Sequence, residues 1–174
     1  DPKFNCKEIL KEKLKHFVSK DAFNIEGFGK KVVENFWDKK LIKYPYDIFN
    51  LDLNVLKNFD GWGKKSINNL KNSINKSKEI SLDRFIFSLG IRHIGEENAK
   101  VLAKHFLNVK NFFDMPKHLN DNNPKYLNEL RSVDGIGNSQ TESLKKFFSN
   151  NQNLKIVSKL ISILSIKNYK YLSK

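Results

Sequence analysis

Cysteine is almost missing from this 174-residue sequence: Cys6 stands alone, which excludes an internal disulfide and points to a reducing, intracellular setting. The four histidines, His16, His93, His105 and His118, are scattered, and with one cysteine they give no metal-ligand spacing. No zinc or other metal site is therefore expected. No apolar run approaches the roughly 18 residues a membrane helix requires, and no basic-then-apolar leader opens the chain, so no membrane partner is expected. Methionine occurs once, at Met115, and the chain opens on Asp1, so it reads as a piece of a longer protein. Arginine is scarce as well. Only Arg84, Arg92 and Arg131 are present, and lysine supplies nearly all of a net charge of +13.

A basic balance of this size suits an anionic partner, nucleic acid before a membrane surface. The wealth of Asn, Ile, Phe and Lys is also the pattern of an AT-rich genome, so charge alone leaves the partner open. The placement of the lysines has to decide it.

All 8 glycines fall in four short clusters: IEGFGKK with Gly27 and Gly29, FDGWGKK with Gly61 and Gly63, GIRHIGE with Gly90 and Gly95, and VDGIGNS with Gly135 and Gly137. The interval between clusters is about one supersecondary unit. In the third, His93 stands where the first glycine would be. An amphipathic helix follows each cluster, carried by Val33, Phe36, Trp37 and Leu41; by Ile67, Leu70 and Ile74; by Ala99, Leu102, Ala103 and Phe106; and by Leu144, Phe147 and Phe148. These are spacings of three and four, one buried helical face each. Shorter apolar helical stretches precede the clusters, at 14–18, 53–59, 82–89 and 126–130, and a last helix carries Leu154 to Leu164. No alternating strand pattern stands out. The fold class is all-α: four helix-hairpin-helix motifs arranged as two paired units, with a boundary near 76–81 and a polar connection over 117–125 between Pro116 and Pro124.

A glycine admits positive φ and close backbone approach. Ahead of a helix it leaves unpaired N–H groups at the positive end of the helix dipole, where an anion fits. One such turn is more simply a tight connection between packed helices; four copies holding every glycine argue for a shared purpose. Lys30 and Lys31 follow the first hairpin, and Lys64 and Lys65 the second. Cations in a helix's first turn cost about 0.3–1 kcal/mol each when exposed, so the repeated choice points to a phosphate. The third hairpin has Glu96 and Glu97 there instead, with Arg92 and His93 in the turn. The fourth offers Asn138 and Ser139, which would either bond a phosphate or cap the helix. Glu26, Asp60 and Asp134 are assigned to bonding the turns' own amides. At the turn tips, Ile94 and Ile136 read as core, while Phe28 and Trp62 join the candidate contacts, Trp62 against a minor groove or ribose. The DNA-binding set is thus Gly27, Phe28, Gly29, Lys30, Lys31, Gly61, Trp62, Gly63, Lys64, Lys65, Arg92, His93, Gly95, Gly135, Gly137, Asn138 and Ser139. Such contacts read the backbone and give affinity without sequence preference.

The stretch SLDRFIFSLGIRHIGEENAKVLAKHF, 81–106, closely resembles the third hairpin region of bacterial NAD-dependent DNA ligases. LKHFVSKDAFNIEGFGKKVVENFWDKKLI, 14–42, looks like the start of the same domain, and the register holds through FDGWGKKS and VDGIGNS. The resemblance implies residues 1–12 as a remnant of a zinc-finger region, a hairpin domain over 13–166 (sub-units 13–78 and 79–166), and a linker over 167–174. Cys6 lies where the finger's last ligating cysteine would be, and Asp1 about where the preceding one would be, so no bound zinc is expected. The resemblance further implies a cytoplasmic bacterial enzyme that seals nicks in replication and repair. It would use NAD and Mg²⁺ held by other domains, with this fragment non-catalytic, free of cofactor, and monomeric on nicked duplex DNA. The family's adenylated lysine sits in a Lys-x-Asp-Gly motif, but Lys57 to Gly61 has one residue too many and coincides with a hairpin.

Three other readings are open: a hairpin domain of another repair protein, a helix-hairpin-helix glycosylase, and an inter-domain scaffold. Other repair hairpin domains usually carry two hairpins. A glycosylase needs a catalytic aspartate after a single hairpin, and that pattern is missing. Weak DNA affinity with intact folding would favour the scaffold.

Overall fold

The computed structural model describes residues 2–121 and 123–170. Asp1 and the last four residues of the expected linker, 171–174, lie outside them. The chain divides into two compact units, residues 1–79 and 80–174.

In the first unit, α1 (Pro2–Val18) leads into the first hairpin and α2 (Lys30–Asp38) follows it. A short α3 (Pro45–Phe49) and a 3-10 helix over Leu53–Asn58 precede the second hairpin, and α4 (Lys64–Ser77) follows. Helix α1 runs unbroken past residue 12, so the division expected there has no counterpart in the backbone. Phe17 and Phe23 stack at 4.2 Å, and Phe49 packs on both rings. The spacing that predicted α4 is the one it buries, Ile67, Leu70 and Ile74.

The second unit contains α5 (Leu82–Ser88), the third hairpin, α6 (Glu96–Phe106), α7 (Val109–Asn120), α8 (Pro124–Arg131), the fourth hairpin, α9 (Asn138–Phe148) and α10 (Asn151–Ile163). Phe106, Phe112 and Phe148 make successive edge contacts at 5.8 and 5.7 Å at its centre. Two elements depart from expectation. Helix α7 takes in residues 117–120 of the expected polar connection and carries Pro116 inside it. Burial of Phe112, Met115 and Leu119, at spacings of three and four, overrides the proline there. The second departure is a pair of three-residue strands, β1 (Glu79–Ser81) and β2 (Ser165–Lys167), hydrogen-bonded to each other in an otherwise helical chain. Just beyond β2, the Tyr169 N–H donates to the Leu107 carbonyl at 2.9 Å. Residues 167–169, expected as linker, are thus docked against the unit.

Candidate nucleic-acid interface

The four hairpins share one backbone design. Gly27, Gly61 and Gly135 have φ of +80°, +85° and +95°, and His93 takes the same left-handed position at +65°. Histidine is among the few residues that visit that region with some frequency. The glycine that opens the third cluster, Gly90, is not its turn glycine. It ends α5, with its N–H donating to the Phe87 carbonyl at 3.2 Å. In three hairpins the turn closes with an N–H to carbonyl bond three residues back: Phe28 to Ile25, Ile94 to Ile91 and Ile136 to Val133, at 2.9 to 3.0 Å.

The second glycine of each hairpin, Gly29, Gly63, Gly95 or Gly137, is the N-cap of the helix that follows, in extended backbone and with no side-chain cap bond. Three other α-helices are capped by a side chain. Asn108, Asn123 and Asn150 open α7, α8 and α10, and each amide oxygen accepts from the third residue of its helix at 2.8 to 3.2 Å. The hairpin helices therefore keep first-turn N–H groups that the other three satisfy. An added Cβ at Gly29 or Gly63 would meet nothing within 4 Å. Their φ values, −88° and −107°, suit any residue. Among the described residues, nothing requires glycine at these two positions.

Lys30 and Lys31 are the first two residues of α2, and Lys64 and Lys65 of α4. All four are exposed, and none has a side-chain partner among the described residues. Arg92 and His93 are likewise exposed and unpartnered in the third turn. Asn138 and Ser139 are exposed and cap nothing; Gln140 Oε1 instead accepts from the Gly137 N–H at 2.9 Å. Ser66 and Asn98 serve Gly63 and Gly95 in the same way, at 3.0 and 3.2 Å.

Two expectations are corrected. Phe28 is 2% exposed and packs edge-on against Phe36 at 5.3 Å, so its side chain belongs to the core and not to an interface. It occupies the register of Ile94 and Ile136, which are also buried. The carboxylates of Glu26, Asp60 and Asp134 are exposed and bond no turn amide among the described residues. Trp62 is half-buried, its ring 5.6 Å from that of Phe36.

Within each unit the hairpins come together. Gly27 of the first lies near Leu70 on α4, and the Asn98 side chain on α6 donates to the Gly135 carbonyl at 3.0 Å. A cleft of about 700 Å³ separates the first two hairpin tips. It is lined by Gly27, Gly61 and Trp62 and, along α4, by Ser66, Asn69 and Ser73. The expected DNA-binding set does not include this α4 face, although the i, i+3, i+7 spacing alongside Ile67, Leu70 and Ile74 marks it as one polar stripe bordering the buried face. Among the described residues, no cluster of three acidic, histidine or cysteine side chains could hold a metal ion, and Cys6 is exposed. The described residues do not fit a zinc site. Nor is any described helix long and apolar enough to cross a membrane.

Repeated turn-and-helix geometry, with left-handed turn residues and glycine N-caps, defines a tandem helix-hairpin-helix protein. The model of the helix-hairpin-helix motif family matches residues 84–157. The particular relatives are DNA ligases. Over 95% of its length the chain is 53% identical to the DNA ligase of Pelagibacter ubique, covering 24% of that protein. It is 46% identical to the DNA ligases of Rickettsia bellii and Rickettsia rickettsii, over 98% of this chain and 26% of each of theirs. The chain spans about a quarter of the length of these curated relatives, and its similarity is to that segment of them.

Proposed function

We propose that this chain is the part of an NAD-dependent DNA ligase that grips duplex DNA around a nick. Its hairpins bind the sugar-phosphate backbone, chiefly from the minor-groove side and without sequence preference. Nick sealing in replication and repair belongs to the parent enzyme, whose other domains bind NAD and Mg²⁺; this segment contributes no catalytic group and works as a monomer in the bacterial cytoplasm.

The observation that carries the reading is the open end of α2 and α4. Each presents free amides behind a glycine with empty space in front of it, and two unpaired lysines flank those amides. This is unfavourable helix chemistry by itself and favourable chemistry for a phosphate. Arg92 and His93 supply the third hairpin's donors in place of lysine, and Asn138 and Ser139 the fourth's. Trp62 and the polar stripe of α4 face the cleft that a sugar edge would enter.

The test is a fluorescence-anisotropy titration on nicked and intact duplexes of two unrelated sequences, across salt concentrations. Wild type should bind all sequences alike, with log K falling linearly in log salt. Lys30→Ala, Lys31→Ala, Lys64→Ala and Lys65→Ala together should weaken binding uniformly and flatten the slope by up to about 0.9 for each phosphate no longer neutralised. A quadruple variant that binds like wild type at every salt concentration would show that these helix ends do not meet DNA.

A further inference from the structure

We infer that Lys11 and Lys15 act as positioning residues: they hold the Glu34 carboxylate so that Lys30 and Lys31 stay free for a DNA phosphate. The inference rests on the proposed phosphate grip and explains how its first hairpin keeps its charge available.

Glu34 lies on α2 three residues after Lys31 and four after Lys30. Helical spacing makes both lysines its natural partners. A carboxylate there would neutralise one of them and repel an incoming phosphate. The structure pairs Glu34 elsewhere. Its Oε1 meets Lys15 Nζ at 2.7 Å and its Oε2 meets Lys11 Nζ at 3.2 Å, so both oxygens are taken by α1. Lys11 also reaches Glu8 at 2.9 Å, and Lys15 reaches Glu12 at 3.2 Å. The two lysine side chains are only 14% and 15% exposed, which suits them to holding Glu34 and not to touching DNA themselves. The pairing also holds the Glu34 carboxyl below the ordinary carboxylate range, Lys15 contributing first and Lys11 second, so it is charged whenever DNA would bind.

The second hairpin provides an internal comparison. Aligned on Gly29 and Gly63, the first helix begins Lys30-Lys31-Val32-Val33-Glu34 and the second Lys64-Lys65-Ser66-Ile67-Asn68. The doubled lysine is common to both, but the position of Glu34 is filled by neutral Asn68. Where the carboxylate exists, two lysines from another helix restrain it. Where it does not, Lys64 and Lys65 need no such restraint.

The test compares four forms of the chain for affinity to a nicked duplex at low salt: wild type, Lys11→Met with Lys15→Met, the same pair with Glu34→Gln, and Asn68→Glu. Methionine keeps the apolar stem and removes the amine. A freed carboxylate roughly 8 Å from a bound phosphate, in a dielectric between those of protein and water, should weaken binding about fivefold. The double variant should show that loss, and adding Glu34→Gln should restore affinity to within about twofold of wild type. Rescue would not follow if the lysines merely pinned α1 to α2, because a neutral amide in place of Glu34 leaves that ion pair broken. Nor would it follow if the lysines touched DNA. A triple variant as weak as the double, or a double variant as tight as wild type, overturns the inference. Asn68→Glu installs an unrestrained carboxylate at an exposed position and keeps the test open should the methionine variants fail to give a helical far-UV spectrum. It should weaken binding about fivefold, and unchanged affinity counts against the inference. Wild type that binds no DNA even at low salt removes the proposed function itself, an outcome distinct from failed rescue.

Discussion

Replacing Gly29 and Gly63 with asparagine should stabilise the protein and weaken its grip on DNA at the same time. Both glycines sit in backbone that asparagine adopts freely, and an added Cβ at either finds nothing within 4 Å. The chain already uses asparagine in this role at Asn108, Asn123 and Asn150. Exchanging a glycine cap for asparagine is worth a few tenths of a kcal/mol. Restricting the unfolded chain adds about 0.4–1 kcal/mol. Each substitution should therefore gain about 1 kcal/mol. Both tryptophans, Trp37 and Trp62, lie in the first unit, so urea unfolding followed by tryptophan fluorescence reports on it directly. In exchange, the new amide oxygen occupies the N–H groups a phosphate would use. A hydrogen bond to a charged group contributes about 1.5–3 kcal/mol, and about 1.4 kcal/mol is tenfold in affinity. DNA binding should fall about tenfold per hairpin. A double variant that gains stability and binds DNA unchanged would refute the idea that the open helix ends are where DNA lies. One that loses stability would refute the capping argument.

Two further outcomes are expected. Gly61→Ala and Gly135→Ala both force a side chain into left-handed backbone, at φ of +85° and +95°, which costs about 1–2 kcal/mol. At Gly135 the new Cβ also comes within 3.2 Å of Val101 Cγ2, whereas at Gly61 it meets nothing within 4 Å. Gly135→Ala should be the more destabilising in thermal melts, and Val101→Ala should recover part of the difference; equal losses would show that Val101 yields freely. Glu34→Gln should lower stability at neutral pH, because Lys15 and Lys11 depress the carboxyl's pKa in the folded state. A lowered folded pKa contributes stability above the unfolded value and loses it as pH falls through the folded one. The gap between wild type and Glu34→Gln in urea midpoint should thus narrow in acid and close below that depressed pKa. A gap that persists there would assign the effect to packing.

The hairpin architecture is legible in the sequence because it rests on local rules. Glycine at 29, 63, 95 and 137 marks four helix starts, and spacings of three and four after each mark the buried faces. Even the odd third turn can be read, since His93 occupies a glycine's place in the register and then adopts a glycine's φ. Phe28 misleads although its register is available. Ile94 and Ile136 occupy the same place and read as core, and only the habit of assigning aromatic tips to ligands separates them. Helix α7 is hidden in part because Pro116 reads as a breaker, while the burial of Phe112, Met115 and Leu119 depends on neighbours far along the chain. The restraint on Glu34 is out of reach for the same reason. Its partners lie 19 and 23 residues away, and nothing in the spacing joins α1 to α2. Strands of three residues are too short to show alternation.

The small β1–β2 pairing has a mechanical consequence. It joins residues 79–81 to 165–167, so the second unit is entered and left at one place. Tension applied along the chain between residues 78 and 168 loads that clasp first and runs past the third and fourth hairpins instead of through them. The Tyr169 to Leu107 bond sits just outside the clasp, as the first tether a pull from the tail would meet. A pull applied between the two clasped strands would then be borne at the neck of the unit, whereas one from beyond Tyr169 would reach the end of α6 first.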